Sequence, residues 1–161
     1  PEQLHASMET AMNELSAFET ELAGKELSPE DSQRLSALMN IQTLLRMLDD
    51  TMFQMTCLAR DRINRGGGPF KEPAGSLVEA SEVLVMSLAE AMASGDPMDI
   101  EMLDKISADK RSVMKEFKRK YLDLPEGAAA AEKSVILDLS NHYEHSVWII
   151  NRLTSLIEKR R

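Results

Sequence analysis

Apolar residues recur along this chain at steps of three and four, the spacing of one face of an α-helix, and no segment alternates with the period of two that a half-buried strand requires. The first such stripe is Leu4, Met8, Met12, Leu15, Phe18 and Leu22, predicting a helix over 2–23 that stops at Gly24. Ser28-Pro29-Glu30-Asp31 then reads as a start signal: a capping hydroxyl, a proline suited to the first helical position, and acids at the positive end of the dipole. The helix it opens runs to about Arg65. Along it Leu38, Ile41, Leu45, Leu48, Met52, Met55 and Ala59 alternate three- and four-residue steps, a seam for shallow-angle helix packing.

Gly66-Gly67-Gly68-Pro69 ends that seam, and Pro73 and Gly75 extend the break, so residues 66–75 read as a linker. The triple glycine has neither a preceding strand nor the Lys-Ser/Thr ending of a phosphate-binding loop. Ser76, with Glu79 three residues on, predicts a capping box and a third helix to Ser94, stopped by Gly95. Asp96-Pro97 opens a fourth helix to about Asp123. After Leu124-Pro125-Glu126-Gly127 a fifth covers 128–159, with Ile136, Leu139, Tyr143, Val147, Ile150 and Ile157 on one side. The expectation is an all-α, antiparallel up-and-down bundle of about five long helices in one domain.

Composition narrows the function classes. A net charge of −8, from 27 acids and 19 bases, opposes binding a nucleic-acid backbone. The one cysteine, Cys57, excludes an internal disulfide and reads as a small buried hydrophobe. No run of about 18 apolar residues is present to span a membrane. Three histidines, at 5, 142 and 145, are too few and too scattered for an all-protein zinc site, and His142 and His145 read as partly exposed helix residues. No nucleophile–base pair can be assembled, so neither an enzyme nor a cofactor is expected. Lys105, Arg111, Lys115, Lys118 and Arg119, with Lys110 and Lys120, line the fourth helix as a solvated face, or as one drawn to an acidic partner or an anionic membrane surface. Met39, Met47, Met52 and Met55 read as adaptable core filler, or as the lining of a partner groove.

Glu26-Leu27-Ser28-Pro29-Glu30-Asp31, then Leu44-Leu45-Arg46-Met47-Leu48-Asp49-Asp50 and Leu58-Ala59-Arg60, resembles the PhoU-like domain. The likeness is to the version C-terminal to the membrane part of bacterial sodium/phosphate cotransporter-type proteins. That family is built of two three-helix repeats, each with a third-helix signature of acid-Arg-Ile-Gly-Asp. The matching segments here are Asp49-Asp50-Thr51-Met52-Phe53 and Glu144-His145-Ser146-Val147-Trp148. Both keep the leading acid and replace the closing Asp by an aromatic. The resemblance implies that paired carboxylates bind metal in the family. Here Phe53 and Trp148 have no lone pair for a hard cation and are expected to plug the space with apolar volume, leaving Asp49, Glu144 and, in the first helix, Glu19 as residual acids.

Matched this way, the chain holds residues 1–65 as a partial first repeat and 76–161 as the second, one helix short at the front. A seam exposed there would invite self-association or a neighbouring segment. Beginning at Pro1 without an initiator Met, the chain is expected to be a cytoplasmic piece of a larger membrane protein at the inner membrane. The resemblance implies a regulatory domain that contacts the transport domain of the same polypeptide or a signalling protein. The alternatives are a carboxylate metal-binding bundle and a free-standing adaptor unrelated to phosphate.

Overall fold

The structure is a computed structural model that describes residues 2–64, 71–122 and 130–158, with side chains at 2–61, 74–108, 114–115, 119 and 133–158. It is all-helical: α1 (Glu2–Ala23), α2 (Pro29–Asn64), α3 (Lys71–Ser94), α4 (Pro97–Leu122) and α5 (Ala130–Glu158). The caps are those expected from local chemistry. Ser28 Oγ accepts from the Asp31 amide at 3.1 Å and donates to Asp31 Oδ2 at 2.7 Å, opening α2. Asp96 Oδ1 accepts from the Met98 amide at 2.8 Å to open α4. Gly95 closes α3 with φ 61°, a left-handed conformation that a side chain would strain, while its amide reaches the Ala91 carbonyl at 3.1 Å.

The start of α3 corrects the linker reading. The helix begins at Lys71, so Pro73 and Gly75 lie within it and Ser76 is its sixth residue rather than its cap. Pro73, third in the helix, falls in the first turn, where an amide has no partner four residues back to lose. A Cβ at Gly75 would meet nothing within 4 Å, so that glycine is not demanded by packing. The Gly66–Pro69 stretch lies outside the described residues.

Four helices, α2 to α5, share one continuous core, in which α5 packs against α2, α3 and α4. Met55, Leu84, Ala91, Leu103, Leu139, Ile149, Ile150 and Leu153 are fully buried there. The buried Ser81, Ser140, Ser146, Thr51 and Thr154 return their hydroxyls to the carbonyl four residues earlier, so small side chains narrow the helix contacts without orphaned polar atoms. Ser107 Oγ lies 2.5 Å from Asn151 Oδ1 and ties α4 to α5.

The first helix stands apart. Among the described residues α1 packs on α2 alone and adds nothing to the main core. Its expected apolar stripe is only partly covered: Met12 is buried and Met8 and Leu22 are half-buried, but Leu4 is 75% exposed, Phe18 57% and Leu15 43%. On α2, Leu38 departs from its seam in the same way, at 44%. Cys57 is half-buried, not enclosed as expected. Met55 and the half-buried Met47 and Met52 fill the core, whereas Met39 faces outward.

Leu153→Ala should cost about 2–5 kcal/mol in chemical denaturation through the cavity it leaves, while Leu15→Ala should stay within about 0.5 kcal/mol. Tyr143 titrates in a second test. Its burial pushes the phenol above the ordinary range, so the folded state holds that proton more tightly than the unfolded chain. The sign follows: stability falls as pH rises through the unfolded value of about 10. Tyr143→Phe should flatten that alkaline limb when melting temperature is followed against pH.

Candidate functional site

The face of α2 that receives α1 is built from two heptad columns, Leu35–Gln42–Asp49 and Arg46–Phe53–Arg60. The facing residues of α1 include His5, Met12 and Glu19, themselves seven apart. Gln42 is buried and its Nε2 donates to the Met12 carbonyl at 2.7 Å and to Ser16 Oγ at 2.9 Å. Arg46 donates to Asn13 Oδ1 at 3.1 Å, and Arg60 pairs with Glu2 at 2.9 Å. Descending α2 thus meets ascending α1, which makes the pair antiparallel. These links are polar, in contrast with the apolar core beside them.

The column ends in a cluster of chemical interest. His5 Nδ1 lies 2.6 Å from Asp49 Oδ2, and one ligand atom each from His5, Asp49 and Asp50 falls within 4.8 Å of the others. The imidazole stacks on Phe53, ring centroids 4.2 Å apart and planes 7° from parallel. His5 and Asp49 side chains are 18% and 21% exposed and Asp50 is open to solvent. The site is therefore fixed on its inner side and accessible on its outer side. Among the described residues no other group of three ligating side chains comes together.

The expected site residues separate accordingly. Asp49 and Phe53 belong to this cluster. Phe53 is half-buried and stacks against the His5 imidazole, outside the main core. Trp148 does not plug anything: it is 54% exposed and lies 6.0 Å from His145, because its position falls on the outer side of α5. Glu144 is exposed on that outer side and Glu19 is buried between α1 and α2, and neither joins Asp49 in a ligand group. His145 reaches Thr51 Oγ1 at 3.3 Å, so it serves the α2–α5 contact. On α4, Lys105 is exposed and engaged by Glu101, whose carboxyl that contact holds below its usual range; Lys115 and Arg119 are exposed. Arg111 and Lys118 lie outside the described side chains.

No local motif marks His5 as a site residue. The signal was present as the coincidence of two heptads, but pairing them requires the register between α1 and α2, which no local pattern contains. Phe53→Ala should release the stacked ring: amide exchange should accelerate along α1 while α3 and α5 keep their protection, as hydrogen-exchange NMR would read.

No helix among the described residues is long and apolar enough to cross a membrane. A scan against protein-family models finds no match to this chain, and comparisons with curated proteins and with solved structures likewise find none.

Proposed function

We propose that this domain is a non-enzymatic docking module: an accessory, PhoU-like cytoplasmic domain of a sodium/phosphate cotransporter-type membrane protein, binding through its helix surfaces. The observation that carries the reading is the uncovered apolar side of α1. Leu4, Ala11, Leu15, Phe18 and Leu22 fall on one flank of that helix, beside the strip that α2 covers, and Leu4, Leu15 and Phe18 are exposed.

The up-and-down order brings the α1–α2 and α3–α4 turns to one end of the bundle. Exposed apolar side chains at that end include Phe18 on α1 and Met92 and Met98 beside the α3–α4 turn. Unbranched methionines suit a surface that must adapt to a partner. The partner proposed from the resemblance is the transport domain of the same polypeptide or a signalling protein, with the module proposed to lie on the cytoplasmic side of the inner membrane. Self-association through the same face is the competing use of it.

The reading requires several apolar stretches of about 20 residues encoded beside this chain, and their absence from the gene would remove the membrane context. At the protein level, Leu15→Glu with Phe18→Glu should leave the helical circular dichroism and melting temperature close to the parent's. The same variant should lose at least about tenfold in affinity for the transport domain in nanodiscs, a drop of about 1.4 kcal/mol. Unchanged affinity would exclude this face as the docking surface. A parent dimer that the double substitution dissolves would assign the face to self-association.

A further inference from the structure

We propose that His5, Asp49 and Asp50 bind one divalent transition-metal ion of the zinc class, and that the ion pins α1 to α2. The donor set decides the class. One imidazole and two carboxylates suit Zn²⁺, Co²⁺ or Ni²⁺, whereas Mg²⁺ and Ca²⁺ prefer oxygen alone. Three protein ligands leave a position for water, and the exposed Asp50 side of the cluster is where that water and the arriving ion have access.

Geometry and charge agree. Ligand atoms about 2 Å from a tetrahedral ion lie roughly 3 to 3.5 Å from each other. The His5–Asp49 pair, now 2.6 Å apart, has to open by less than about an ångström, and Asp50, already within 4.8 Å, has to move inward. Among the described residues neither carboxylate pairs with a lysine or arginine: Arg46 is turned to Asn13 and Arg60 to Glu2. Among the described residues no lysine or arginine contact takes the place beside these two acids that a dication would fill. The stacked Phe53 limits rotation of the ring, so its nitrogen is presented in one orientation before any ion arrives.

This arrangement differs from two carboxylates four apart on one helix. It takes its nitrogen from α1 and consecutive acids from α2, and it makes no use of position 53 as a ligand. Its ligands lie on a different flank of α1 from the docking surface.

The test is calorimetry on the tag-free, chelator-treated chain with Zn²⁺, Co²⁺, Ni²⁺, Mg²⁺ and Ca²⁺. The expected result is one equivalent of Zn²⁺, a rise in melting temperature, a Co²⁺ complex with visible absorption, and no response to Mg²⁺ or Ca²⁺. His5→Gln and Asp49→Asn should each weaken Zn²⁺ by at least about tenfold, and His142→Ala should not. Circular dichroism without metal checks that each variant is folded. Should His5→Gln unfold α1, Asp50→Asn, at an exposed position, carries the test with a several-fold loss. Absence of Zn²⁺ binding overturns the proposal, as does binding that survives His5→Gln and Asp49→Asn or follows His142 instead.

Discussion

Everything in the main bundle is placed by the burial of α5. Its buried residues include Val147, Ile149, Ile150 and Leu153, a set too broad for a single stripe, so one neighbouring helix cannot cover it. Water is excluded only when α2, α3 and α4 all close on it, as they do. The serines at 140 and 146 reinforce this constraint: with their hydroxyls turned back onto their own helix, they let neighbouring backbones approach without leaving a polar atom unpaired. Once α5 is enclosed, the lengths of the other helices and their short connections leave little choice of topology.

The attachment of α1 follows a different physics. Its one buried hydrophobe is Met12, and around it sit Gln42, Ser16, Asn13, Arg46 and a His–Asp contact. Each of those groups can exchange its protein partner for water at small net cost, because a typical intramolecular hydrogen bond contributes only about 0.5–1.5 kcal/mol. The main core has no such exchange available. A helix held this way has a strong preference for register, set by donors that must meet acceptors, and a modest preference for being docked at all.

That contrast explains what could be read in the sequence. The starts of α2 and α4 are legible because Ser28 with Pro29 and Asp96 with Pro97 act on their own turns. The core of α5 was legible because Leu139, Tyr143, Val147 and Ile150 repeat within one helix. The start of α3 is not legible at Ser76, since a good capping residue is also tolerated inside a helix. Leu4, Leu15 and Phe18 belong to the stripe that predicts α1 yet stay exposed, because periodicity reports which residues share a side, and whether any neighbour covers that side is a property of the assembled bundle. The same limit applies to Trp148 and, most clearly, to His5 and Asp49, which are 44 positions apart and meet only through the α1–α2 register.

Because α1 carries both the open apolar flank and the histidine of the cluster, both proposed activities depend on α1 lying docked on α2. An ion bridging His5 and Asp49 binds only the docked state and stabilises it by mass action. A partner that uses the flank of α1 as it lies on α2 selects that same state, so ion and partner must each tighten the binding of the other. A partner that instead pulls α1 away from α2 separates His5 from Asp49 and must expel the ion. The sign of that coupling depends on which side of α1 the partner grips, and the polar track of Gln42, Arg46 and Arg60 sets how much free energy either event has to overcome.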